Sequence, residues 1–93
     1  MKNGLIVDAD GNKCWYLNDK LHREDGSAIE CANRTKRWYK NGERHREDGP
    51  AIEWANGDKS WWLNNKKYSK QEYEIEIQKR IPNFEAIDNW LNQ

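Results

Sequence analysis

Residues 38–65 read WYKNGERHREDGPAIEWANGDKSWWLNN, and the way this stretch echoes itself decides the fold. Trp61 follows Trp38 by 23 residues, and Trp38 follows Trp15 by the same interval. Ile6, Ile29 and Ile52 keep that spacing, as do Ala9/Ala32/Ala55, Lys13/Lys36/Lys59 and Asn18/Asn41/Asn64. An aromatic follows each of these tryptophans: Tyr16, Tyr39 and Trp62. His22 and His45 open the near-identical strings HREDGSAIE and HREDGPAIE. A unit this short cannot bury a core alone, so each must lean on its neighbours.

The turns set the local structure. Asp10-Gly11 and Asn56-Gly57 are two-residue hairpin signals, because type I′ turns require positive φ at both central residues. The middle unit has Asn33-Arg34 there, which predicts a strained turn or one of another type. Two-residue loops would set Ile6 against Trp15, Ile29 against Trp38 and Ile52 against Trp61. A second turn at Asn18-Asp19, Asn41-Gly42 and Asn64-Asn65 sets Trp15 against His22, Trp38 against His45 and Trp61 against Tyr68. On this count the Ile–Trp–His side is the core. The other side carries Tyr16, Tyr39 and Trp62 beside Glu30, Arg37 and Glu53.

The pattern stops at Tyr68. Ser69-Lys70-Gln71-Glu72 is a capping box, opening a helix near 70–80 with Tyr73, Ile77 and Ile81 on one stripe. Pro82 ends it, and Asn83 caps a shorter helix over 84–92 carrying Phe84, Ile87, Trp90 and Leu91. Core packing is the expected fate of Ile75 and Trp90. The predicted fold is mainly β: a single-layer antiparallel meander of three 23-residue hairpin repeats over residues 5–68, with two short C-terminal helices over 69–93 as an α-helical cap, all in one domain.

Bulk composition narrows the function classes. The chain has 93 residues, 16 basic and 16 acidic, so neither a globally basic nucleic-acid binder nor an acidic nucleic-acid mimic is described. With 35% hydrophobic residues, its six tryptophans must supply much of the buried area. Cys14 and Cys31 sit at different places in the unit and form neither a disulfide framework nor a metal motif. The N-terminus lacks an apolar run long enough for a signal peptide or a membrane span, which points to the cytoplasm.

The string at 38–65 resembles a family of small repeat proteins of bacteriophages, prophages and some large DNA viruses, with units of roughly W-Y-x-N-G-x-x-H-R-x-D-G-P-A and a short helical tail. More broadly the chain is similar to MORN repeats, also 23 residues long, from which it departs by placing Arg-Glu-Asp-Gly after the histidine. The third unit drops that string and reads Tyr68-Ser69-Lys70-Gln71-Glu72. The resemblance implies a flat array of hairpins in a phage-encoded accessory protein.

His-Arg-Glu-Asp-Gly contains acid–base and metal-ligating residue types, yet Asp-Gly pairs are turn formers and equal spacing suits scaffolding better than one asymmetric pocket. On this reading Arg23 and Arg46 pair with Glu24, Glu47 or another nearby carboxylate. No nucleophile elbow, phosphate loop, His-Glu-x-x-His or EF-hand occurs, so no enzyme, cofactor or metal is expected. Residues 34–46 hold Arg34, Lys36, Arg37, Lys40, Arg44 and Arg46 against Glu43 alone. The expected partner-binding residues are Tyr16, Tyr39 and Trp62 as aromatic anchors with Arg37, Lys40 and Arg44 adding charge, since interfaces favour Tyr, Trp and Arg. The expected partner is a bacterial host protein, such as an enzyme or an immune effector blocked by an anti-defence or anti-CRISPR type inhibitor. Nucleic-acid binding by the basic, aromatic middle unit is the second reading, lipid head-group binding as for MORN arrays a third, and self-association through opposite charges or open sheet edges a further option.

Overall fold

The computed structural model describes residues 1–80. The chain is mainly β. Its strands are β1 (Gly4–Val7), β2 (Lys13–Leu17), β3 (Lys20–Leu21), β4 (Ile29–Glu30), β5 (Lys36–Arg37), β6 (Tyr39–Lys40), β7 (Glu43–Arg44), β8 (Ile52–Glu53), β9 (Lys59–Leu63) and β10 (Lys66–Tyr68), followed by helix α1 (Lys70–Arg80). They form an antiparallel sheet in the order β1-β2-β4-β5-β8-β9-β10, with β3 on β2 and β6-β7 as a separate short pair. The expected second helix over 84–92, with Phe84, Ile87, Trp90 and Leu91, and the expected place of Ile81 lie outside the described residues.

The second turn of each unit has its expected form. Asn18 and Asp19, Asn41 and Gly42, and Asn64 and Asn65 all have positive φ, between 50° and 83°. The register follows: Tyr16 opposes Leu21, Tyr39 opposes Arg44, and Tyr68 opposes Trp61.

The first turn does not. Gly11 N–H donates to Asp8 O (3.1 Å) and Asp8 N–H to Asn12 O (3.0 Å), enclosing three loop residues rather than two. The same bonds recur at Cys31/Arg34/Thr35 and at Trp54/Gly57/Asp58. Gly11, Arg34 and Gly57 hold the left-handed position, with φ of 87°, 79° and 95°. This is a type I turn closed by a one-residue bulge, in which the glycine belongs to the third loop position. Arg34 occupies that place without a glycine's freedom, which is where the strain expected of the middle turn resides.

One extra loop residue reverses the facing, because side chains alternate with a period of two. Leu5 opposes Trp15, Ile6 opposes Cys14, Ile29 opposes Arg37 and Ile52 opposes Ser60. The isoleucines therefore leave the tryptophan side, and the expected Ile–Trp–His core is corrected accordingly. One face holds Trp15, Trp38 and Trp61 with the histidines, Glu30 and Glu53. The other holds Ile6, Ile29 and Ile52 with Cys14, Arg37, Tyr16, Tyr39 and Trp62. Burial is shared between the faces. Ala28 and Ala51, each beside a tryptophan, are fully buried, as is Ile52 on the far side.

Helix α1 seals one end. Ser69 N–H donates to Glu72 Oε1 (3.0 Å) and Glu72 N–H donates to Ser69 Oγ (3.1 Å), the reciprocal capping box. Tyr73 and Ile77 pack on Leu63, with Trp61 and Tyr68 beside them, making the tightest apolar cluster of the described chain. Ile75 is not part of it. The expected core packing of Ile75 is corrected: it is 53% exposed, because it lies off the Tyr73/Ile77 stripe that faces the sheet. No helix among the described residues is long and apolar enough to cross a membrane.

Candidate partner-binding face

The HREDG strings fold into matched staples. Arg23 lies over the ring of Trp15 at 3.8 Å, and Arg46 over Trp38 at 3.9 Å. Arg23 Nε donates to Asp25 (3.0 Å), while its Nη1 donates to Ser27 O (3.1 Å) and Glu30 (3.1 Å). Arg46 repeats this with Asp48 (2.8 Å), Pro50 O (3.0 Å) and Glu53 (2.8 Å). The glycine closes the other side of the cation: a Cβ on Gly49 would sit 3.1 Å from Arg46 Cζ, and one on Gly26 3.3 Å from Arg23 Cζ. A planar guanidinium fits between an indole and a bare backbone where an ammonium would not.

The histidines link one unit to the next. His22 Nδ1 accepts from Asn41 N–H and His45 Nδ1 from Asn64 N–H, both at 2.9 Å. Each thereby holds the following type I′ turn, and the proton left on Nε2 faces a carboxylate, Glu24 at 2.6 Å or Glu47 at 3.6 Å. The bond from His22, then Lys40, holds the Glu24 carboxyl below its ordinary pKa. Between the two staples lies a cleft of about 480 Å³ lined by Arg23, Asp25, Trp38, Lys40, His45 and Arg46, among others. Its arginines already have carboxylate partners.

The opposite face has a different balance. Alternation along the strands places Ile6, Cys14, Tyr16, Leu21, Ile29, Arg37, Tyr39, Arg44, Ile52, Ser60, Trp62 and Lys67 there. Side-chain contacts agree. Trp62 Nε1 donates to Ser60 Oγ (2.8 Å), and Arg44 stands 4.8 Å over Trp62 and 5.9 Å from Tyr39. Lys2 lies 5.1 Å over Tyr16 at the far end. Among these strand positions are Arg37, Arg44 and Lys67 but no aspartate or glutamate. Among the described residues no carboxylate comes within 4.0 Å of Arg37 or Arg44. The Nε of each is buried without a hydrogen-bond partner there.

Of the expected binding residues, the fold brings Tyr39, Arg44 and Trp62 into one stack, with Arg37 on the same face and Tyr16 further along it. Tyr39 is only 9% exposed, so it supports the stack rather than offering surface. Lys40 falls on the tryptophan face, where its Nζ meets Glu24 at 3.5 Å. Glu30 and Glu53 are likewise on that face, held by Arg23 and Arg46, and not beside Tyr39 as the two-residue loop implied. Lys67, opposite Trp62, joins the cationic face. It went unrecognised because it lies in the third unit, outside the basic run at 34–46.

Cys14 and Cys31 are free thiols. Burial first, then the charges of Asp8 and Cys31, pushes the Cys14 thiol above its ordinary pKa, which keeps it a poor nucleophile. Among the described residues no group of three or more His, Cys, Asp or Glu side chains is arranged to hold a metal ion. No family model, curated protein or solved structure matches the chain.

Proposed function

We propose that the chain is a non-enzymatic binding module, and that its Arg37/Arg44/Lys67 face takes an acidic surface of a protein partner. One observation carries this reading: cations and aromatic rings share a sheet face on which no strand position supplies a carboxylate, whereas on the other face Arg23, Lys40 and Arg46 each meet a carboxylate. The Nε groups of Arg37 and Arg44, buried without a partner among the described residues, are costly, and a carboxylate brought by a partner offsets that cost with strong charge-assisted bonds. Trp62 and the Arg44 stack supply the rigid centre that interface hot spots commonly have. The 23-residue spacing of the Trp–Arg and His–turn contacts supports a MORN-like repeat array with a helical cap, a surface well suited to scaffolded recognition. The sequence resemblance adds the context of a phage accessory protein, of the inhibitor or anti-defence kind, acting on a bacterial host protein in the cytoplasm.

The test compares wild type with Arg37→Glu/Lys67→Glu as baits in host lysate, alongside thermal melts of both. A host protein retained by wild type and lost by the variant, at a matching melting temperature, supports the reading. Equal capture by both baits overturns it. A nucleic-acid role draws on the same cations and rings. It requires oligonucleotide binding in low salt that falls steeply as ionic strength rises.

A further inference from the structure

The two ends of the sheet are built differently. The β10 end carries Lys66 and Lys67, and α1 packs against β9 and β10. The β1 end carries Gly-Leu-Ile-Val, and no strand pairs with its outer side among the described residues. Leu5, Ile6 and Val7 are 49%, 41% and 52% exposed, three adjacent apolar side chains on an open edge. Natural edges usually carry a lysine, a proline or a bulge at such a place.

Hydrogen bonding decides which backbone groups are free. Trp15 N–H donates to Ala28 O (2.8 Å) and Trp15 O accepts from His22 N–H (3.0 Å), so Trp15 turns both groups away from β1. Its partner Leu5 must then turn its own N–H and C=O outward, and Val7, two residues on, does the same. The inward bonds come from Gly4 and Ile6. The edge thus presents two unpaired donor–acceptor sets, spaced as an antiparallel strand needs them.

We propose that β1 pairs with β1 of a second copy of this chain about a two-fold axis. The register sets Ile6 opposite Ile6, and Leu5 opposite Val7 on either side, so that each Leu5–Val7 pair exchanges both of its hydrogen bonds. Gly4 then falls opposite Asp8, so like charges do not meet. Among the described residues the lysines and the helix guard the β10 end, so the β1 end is the one that suits the contact. The pairing therefore closes as a dimer instead of growing into a filament. The interface is a strand edge of modest area, so the dimer forms reversibly with concentration.

Sedimentation equilibrium of the full chain across micromolar to millimolar concentration tests this, with Leu5→Pro and Val7→Lys as variants. Proline at residue 5 removes only an outward N–H and leaves the bonds to β2. Wild type is expected to dimerise, with both variants weakened about tenfold or more at unchanged circular dichroism. Wild type that stays monomeric throughout overturns the proposal, including the case in which the monomer instead takes up an extended peptide from elsewhere. So does a dimer that persists unchanged in Val7→Lys, whose added charge would sit inside the pairing whatever the proline does to folding. Arg37→Glu leaves this dimer intact, which separates the edge from the cationic face.

Discussion

Arg34 and Gly49 are the residues whose replacement says most about local cost. Arg34 holds φ of 79° where its counterparts Gly11 and Gly57 are glycines. Arg34→Gly relieves that conformation and is expected to stabilise the chain by about 1 kcal/mol, net of the glycine's unfolded-state entropy, a rise of roughly 4–8 °C in a thermal melt. Gly49→Ala acts oppositely: its methyl would meet the Arg46 guanidinium at 3.1 Å and push it by a few tenths of an ångström within its seat between Trp38 and Glu53. A loss of about 1–2 kcal/mol is expected in denaturant titration, with a smaller loss for Gly26→Ala, whose contact is 3.3 Å. At this scale the sequence was half legible. Asp-Gly was readable as a turn, but the glycine's second duty, leaving room for a cation on an indole, depends on residues brought together by the fold. The same holds for Arg23 and Arg46, whose partners are Asp25, Asp48, Glu30 and Glu53 and not the adjacent Glu24 or Glu47.

Among the elements, α1 and the type I′ turns follow from local chemistry alone and are where the sequence spoke clearly. Ser69-x-x-Glu72 writes its own hydrogen bonds, and two adjacent positive-φ positions accept few residues other than Asn, Asp and Gly. Ser69→Ala is expected to cost about 1 kcal/mol, read as a lower melting temperature with lost ellipticity at 222 nm. The bond from Ser69 N–H holds the Glu72 carboxyl below its ordinary 4.5. Its share of helix stability is therefore complete above that value and disappears as the pH falls through the lowered one. Glu72→Gln, which removes the titrating group, should show a shallower acid transition than wild type. Tyr73 gives the alkaline counterpart. Burial raises its hydroxyl above the ordinary 10.0, and that hydroxyl donates to Arg46 O. The folded state keeps a proton that the unfolded chain releases, so stability should fall as pH rises above about 10, and less steeply in Tyr73→Phe. The first turn was misread because Asp-Gly and Asn-Gly serve both two-residue and three-residue hairpins. Only the register distinguishes them.

For the whole molecule, burial is uneven from end to end. Every residue of β1 is exposed, while Leu63, Tyr73 and Ile77 at the other end are almost fully buried. Amide exchange on dilute protein is expected to run in that order, faster at the bonded amide of Ile6 than around Leu63, and comparable protection at both would show a uniformly cooperative sheet. The mainly β chain and its helix were legible because they follow from periodicity, whereas the identity of each face hung on one uncertain loop length. That loop has a reach beyond its own residues. Closing the same sequence with a two-residue bend, Asn33-Arg34 alone, would bring Ile29 across from Trp38 in place of Arg37 and carry one strand's whole chemistry through the sheet. Two ways of bending one unchanged sequence thus give opposite outer surfaces, so the left-handed residue that selects between them carries information about which side of the protein meets the world.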